Sequence, residues 1–177
     1  MNSISNASLP DVIWQTIAQE FADLPDVAQA TRIIVRLLLA AILGGLLGWE
    51  RESRGKSAGL RTHMLVAMGS ATFVAIAQLL GAQANEISRV MQGVVAGVGF
   101  LGAGAILKTS QNGEEYVKGL TTAAGIWFTA AIGVAVGAGE ESTAMICTLL
   151  ALLVLAVVPW ISKDKIAPNA HEGDERH

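Results

Sequence analysis

The chain has 177 residues, 52% of them hydrophobic and 15% charged, with a mean hydropathy of +0.49. Its charges fall in short breaks between long apolar runs, not along solvent-facing helix stripes, which excludes an ordinary soluble domain. A formal net charge of −3 gives no electrostatic basis for a nucleic-acid partner, and the single Cys147, inside an apolar run, excludes an intrachain disulfide and reads as a packing residue.

No Lys or Arg precedes Arg32 and no early apolar run exists, so residues 1–31 are not expected to be a cleavable signal peptide. Ser8-Leu9-Pro10-Asp11 reads as an N-cap with an early proline and an acid in the first turn. Ile13, Ile17, Phe21 and Leu24 then recur at helical spacing, so residues 8–28 are expected to form an amphipathic helix. It either lies on the outer membrane face or docks on the outer end of the bundle.

Five segments then have the apolarity of membrane helices, each near the ~20 residues that cross the hydrocarbon. They are 33–49, 62–80, 90–107, 119–138 and 142–161. The expected fold class is therefore all-α, a polytopic transmembrane bundle of five spans over 32–162. The segment before it is the N-terminal interfacial or periplasmic helix. The tail, 163–177, has mixed charge, Pro168 and Gly173 and is expected to be disordered.

Orientation comes from the basic residues of the connections. Arg51, Arg54, Lys56, Arg61, Lys108, Lys118, Lys163, Lys165 and Arg176 make nine on one side, against Arg32 and Arg89 on the other. This places the tail in the cytoplasm and the N-terminus in the periplasm. Trp49, Tyr116 and Trp160 fall near the same expected boundary, as an interfacial aromatic belt would.

The third span carries Gly93, Gly97, Gly99, Gly102 and Gly104. Each interior glycine costs about 1 kcal/mol relative to alanine in a soluble helix. In lipid, small residues let helix backbones approach closely, which can offset that cost. The fourth span repeats the device at four-residue spacing in Thr121, Gly125, Thr129, Gly133 and Gly137, and the first adds Gly44 and Gly48. Spans one, three and four are expected to pack together. The alternative is that Gly97–Gly104 is unwound and presents backbone groups to an ion. Gly97-Val98-Gly99-Phe100-Leu101-Gly102 matches a dinucleotide fingerprint only literally, because no strand precedes it.

Ionisable residues at membrane depth are candidates for function when a partner exists. Arg36 with Glu86 is one pairing, the other reading being two independent snorkelling groups; Arg89 lies beside Glu86. At the opposite boundary Glu50 and Arg61 are candidates for an interhelical bridge or an ion-entry site, with Arg51 and His63 alongside. His63 alone reads equally as a hydrogen-bonded boundary residue. Gln78 and Gln92 are expected to hydrogen-bond between helices. No nucleophile–base pair, metal-binding cluster or phosphate loop occurs, so an enzyme is the least supported class and no cofactor is expected.

LLLAAILGGLLGWERESRGKSAGLRTHMLVAMGSATF, then VVAGVGFLGAGAIL, then VKGLTTAAGIWFTAAIGVAVGAG resemble the MgtC/SapB membrane proteins over roughly residues 35–139. The resemblance implies a bacterial inner-membrane protein tied to magnesium limitation. In the best-known members it also implies survival inside host cells and restraint of the proton-driven ATP synthase. Longer members carry a cytoplasmic ligand-binding domain of the ACT type, and the chain is expected to be a short form without it. The family pattern places an aspartate three residues before the arginine opening span three; here Glu86 precedes Arg89. By motif the marked positions are Glu50, Arg51, Gly59, Arg61, Thr62, His63, Glu86, Arg89, Gly97, Gly99, Gly102, Gly104 and Thr121.

Two functions stand beside each other at this point. One is a non-enzymatic regulator that works in the bilayer by helix association with a second copy or another membrane protein. The other is a small ion carrier or channel, with Arg36, Glu50, Glu86 and Arg89 lining a path beside the glycine-rich span. Whether Mg²⁺ binds directly is left open by both.

Overall fold

A computed structural model describes residues 8–20, 26–111 and 114–163, and their side chains outside 109–116 and 159–163. In chain order the elements are α1 (Leu9–Glu20), α2 (Val27–Ser53), α3 (Leu60–Leu79), α4 (Ala84–Gly104), β1 (Leu107–Gln111), β2 (Glu114–Lys118), α5 (Leu120–Ala138) and α6 (Glu141–Lys163). Helices α2 to α6 are each long and apolar enough to cross a membrane. The five-span, all-α expectation therefore holds.

Residues up to Val35 and those from Arg36 onward form two compact units. In the first, α1 is fully exposed, with Leu9, Ile13, Trp14 and Ile17 uncovered. The Ser8 hydroxyl donates to Asp11 Oδ2 at 2.6 Å, at the start the sequence marks. Phe21, Leu24 and the tail from residue 164 lie outside the described residues, as do the side chains of Tyr116 and Trp160.

Several boundaries differ from the hydropathy reading, by up to six residues. Helix α2 starts six residues early, because the Asp26 carboxylate accepts from the Ala28 N–H at 3.0 Å and caps it. Helix α4 also starts six residues early. Gln83 and Glu86 form a reciprocal capping box there, with the Gln83 N–H donating to Glu86 Oε2 at 2.7 Å. Its far end falls at Gly104. An antiparallel hairpin comes next, pairing Leu107 with Lys118 through Gln111 with Glu114. Through Gly97–Gly104 the helix is continuous. The unwound alternative is thereby excluded.

Spans three and four do pack together, as expected, but the tightest approaches are made to the second span, α3, which the expectation left out. Helix α5 meets α3, α4 and α6, its interface with α3 being the most extensive, and α2 approaches α3 through Gly44 and Gly48. A Cβ at Gly44 would stand 2.6 Å from the His63 carbonyl oxygen, and one at Gly48 only 2.7 Å from Leu60 Cα. A Cβ at Gly137 would stand 2.5 Å from the Ala71 carbonyl oxygen, and one at Gly133 would overlap that of Ala67. Backbone approaches backbone closely where α2 and where α5 meet α3. The resulting core holds Ala40, Leu43, Leu47, Ala67, Ala71, Ile132, Val136 and Ala144. A second cluster joins Val94 and Val98 of α4 to Ile126 and Ala130 of α5.

Glycine 139 ends α5 in the left-handed region at φ +90°, and the next N–H turns back to the Ala135 carbonyl. This sharp reversal brings the end of α5 and the start of α6 against Arg36.

Candidate functional site

Two polar clusters lie at opposite ends of the bundle. At the end bearing the α2–α3 loop, Glu50 accepts from Arg51 Nε at 2.5 Å and stands 2.5 Å from Arg54 Nε as an i,i+4 ion pair. The Arg51 side chain is 3% exposed and that of Glu50 14%, whereas Arg61 is exposed. The expected Glu50–Arg61 bridge between helices is corrected: Glu50 is engaged by its own helix, one residue and one turn away. The residue that does cross the loop is Glu52. Its Oε2 accepts from the Leu60 N–H at 2.7 Å and so caps α3, whose N-cap Gly59 offers no side chain. A Cβ at Gly59 would occupy the space of that carboxylate.

One turn into α3, His63 is fully buried between α2 and α5. Its Nδ1 lies 2.9 Å from the Gly59 carbonyl oxygen. A carbonyl can only accept, so Nδ1 carries a proton and, in the neutral ring, Nε2 presents a lone pair. Nε2 is buried with no hydrogen-bond partner. Glu50 and Arg51 are near enough for their charges to act on this ring.

At the other end Arg36 ties four helices together. One of its guanidinium nitrogens donates to Gln78 Oε1 and to the Gly137 carbonyl, each at 2.9 Å. Its Nε lies 3.6 Å from Glu141 on α6, and Gln78 in turn donates to the Ala138 carbonyl at 3.1 Å. A cation at the C-terminal carbonyls of α5 also meets the negative end of the helix dipole. The expected Arg36–Glu86 pair is corrected, since Glu86 caps its own helix. Arg89 is exposed on α4. Gln78 bridges helices as expected, while Gln92 is exposed.

The glycine positions divide. Gly93, Gly97, Gly99 and Gly104 would meet nothing within 4 Å if given a Cβ; only Gly102 of the α4 set faces α5, 3.6 Å from the Ala123 Cβ. Valines do the packing instead, with Val94 and Val98 buried on the same stripe as Gly102. On α5, Thr129 and Gly133 are buried, Gly125 faces His63, and Thr121 is exposed. Four-residue steps advance about 40° around a helix of 3.6 residues per turn, so the stripe drifts off α3 toward its start. Glu52, Glu141 and the Ala67–Ala71–Ala75 stripe of α3 are not marked by the sequence reading, although the last is a small-xxx-small series.

Five apolar helices, a backbone-close α2–α3–α5 core and polar clusters confined to the ends define a multi-pass helical membrane protein. The MgtC family model matches residues 37–164, and the chain belongs to the MgtC family. It is 50% identical to SrpB of Synechococcus elongatus, over 79% of this chain and 91% of that one. It is 44% identical to the "Putative magnesium transporter YhiD" of Escherichia coli, over 78% of this chain and 66% of that one. Against MgtC of Brucella abortus identity is 46%, over 67% of this chain and 48% of the relative. The chain thus spans most of SrpB but about half to two thirds of the longer relatives. No solved structure matches it.

Proposed function

We propose that the protein is a non-enzymatic component of the bacterial inner membrane that serves adaptation to low magnesium by associating, through α4, with another membrane helix. The observation that carries this reading is the open glycine face of α4. Gly93 and Gly97 line a groove of about 620 Å³ together with Gly69, Phe73 and Leu101, and a Cβ at either would meet nothing within 4 Å. Small residues that no internal neighbour uses remain available for a close external helix, because in lipid association depends on packing and not on hydrophobicity. The magnesium link rests on membership of the MgtC family and on the transporter name of the Escherichia coli relative. The basic connections support a cytoplasmic tail and a periplasmic N-terminus.

The test places single cysteines at Gly93 and Gly97 in a Cys147→Ala background and oxidises native membranes. A discrete crosslinked species, with growth in low magnesium lost in Gly97→Leu, is the expected result. Lipid-exposed, uncrosslinked cysteines and normal growth of Gly97→Leu would sink it.

A second reading, ion movement through this chain itself, is favoured by the same transporter name. No group of three or more His, Cys, Asp or Glu side chains suited to a metal occurs among the described residues. Purified protein in liposomes should then pass Mg²⁺ down a gradient, and flux equal to that of empty liposomes would remove this reading.

A further inference from the structure

The buried imidazole of His63 has no part in helix association through α4. It borders a cavity of about 570 Å³ between α2, α5 and α6, lined among others by Leu47, Phe128, Leu150 and Val154. That volume falls in the range of small-molecule pockets, roughly 300–1,000 Å³. The lining is apolar except for His63, Thr121 and the indole N–H of Trp127 at the rim, and it contains no charged side chain. Trp127, Leu150 and Val154 at its rim are about half exposed, so the mouth faces the hydrocarbon surrounding the bundle.

Within this wall Nε2 of His63 is an acceptor without a donor. In a soluble protein water would commonly satisfy such an atom, but hydrocarbon offers none. Beside it stands Gly125, whose absent side chain leaves the adjoining position open, 3.6 Å from Nε2. The ring is covered at rest, and Gly125 is where a small displacement admits a donor. A lone pair repels carbonyl ligands, and an uncharged lining disfavours ions. Three residues from the start of α3, the histidine also sits about 4.5 Å inside the helix end.

We propose that this cavity binds a neutral, membrane-dissolved amphiphile whose single hydroxyl donates to His63 Nε2 while its apolar body lies against Phe128, Leu150 and Val154. Two sources supply such a hydroxyl, a phenol with an apolar chain and the glycerol of a diacylated neutral lipid. Both share the chemistry of one O–H on an apolar body. The site stands independently of the partner that α4 takes.

The test uses the full chain in phosphatidylcholine nanodiscs with ¹⁵N-labelled histidine. Three probes are titrated: 4-octylphenol, 1,2-dioctanoylglycerol and octylbenzene, the last matching octylphenol without the hydroxyl. A saturable shift of the His63 Nε2 resonance is expected with at least one alcohol. Octylphenol alone identifies the aryl source, dioctanoylglycerol alone the lipid source, and both the shared chemistry. The preferred alcohol should bind about tenfold more tightly than octylbenzene, the ratio that one hydrogen bond of about 1.4 kcal/mol gives. Gly125→Ala sets a methyl against Nε2 at ordinary contact distance, so it folds and should bring that ratio to about one. His63→Phe, which keeps a ring but removes the resonance, should do the same with probe affinities read by equilibrium partitioning into the nanodiscs. Equal binding of all three probes, no saturable shift with any, or full discrimination retained in Gly125→Ala would each overturn the proposal.

Discussion

Helices α4 and α5 carry nearly the same device and use it differently. Each has glycines at four-residue spacing, yet Gly133 and Gly137 lie against the carbonyls of Ala67 and Ala71 while a Cβ at Gly93 or Gly97 would meet nothing within 4 Å. The difference lies in the neighbour. Helix α3 offers alanines at 67, 71 and 75, so its backbone is reachable; α5 meets α4 through Ile126 and Ala130 packed on Val94 and Val98. A glycine permits close approach, and only a small residue opposite turns that permission into contact.

The contrast breaks most sharply at Gly133. Alanine there must displace the Ala67 carbonyl, which is backbone and fixed within α3. Overpacking of this kind costs about 3 kcal/mol, a large part of a stability of about 5–15 kcal/mol. Thermal unfolding of the detergent-solubilised protein should show Gly133→Ala strongly destabilised or unexpressed. A Tm within a degree or two of the parent would mean that α3 and α5 have room to separate at no cost.

The next effect is at Arg36, where charge rather than small size closes the bundle. Arg36→Met leaves the Gln78 amide and the Gly137 carbonyl without their donor and should cost about 2 kcal/mol, as hydrogen bonds to charged groups do. Adding Gln78→Leu should cost clearly less than its effect alone, because the two side chains share one network. Glu141→Gln should change little, since that carboxylate is 41% exposed and 3.6 Å away. Additive losses at 36 and 78 would show that the network does not act as a unit.

A smaller loss, about 1 kcal/mol, is expected on removing the cap that Glu52 places on α3. Gly59→Ala should lose about the same, by filling the carboxylate's position. Hydrogen exchange at the Leu60 amide should rise in both variants, and combining them should add nothing further. Independent effects would separate the glycine from the carboxylate.

The spans are legible in the sequence because apolar length is nearly sufficient for a membrane helix. Their neighbours are legible only in part: the packing of α4 on α5 is expected and found, the close approach of α2 and α5 to α3 is found but not expected. Gly44 and Gly48 announce close packing but do not name the partner, and the alanines of α3 look like ordinary apolar filler until set against them. Hydropathy also places the start of α4 late: Asn85, Glu86 and Arg89 are polar, yet Glu86 opens the helix through its capping box. The hairpin has a signal in Asn112-Gly113 between two five-residue runs, which hydropathy treats only as a charged connection. For the polar candidates, composition identifies Arg36, Gln78, Glu50 and His63. Pairing fails where the nearest opposite charge lies in the same helix or one loop away. Arg54 comes one turn after Glu50, and Glu52 turns to Leu60 instead of to a basic residue.

The smallest effect on stability decides most about α4. Gly97→Ala adds a methyl into open space. It also removes the conformational freedom that makes glycine about 0.5–1 kcal/mol worse than alanine within a helix. The variant should therefore be as stable as the parent or slightly more so, opposite in sign to Gly133→Ala. If growth in low magnesium falls while stability does not, the glycine face is held open for something outside the chain. If both stability and growth are preserved in Gly97→Ala and also in the bulkier Gly97→Leu, that face meets only lipid. The likeness between α4 and α5 would then be one of sequence without a shared use.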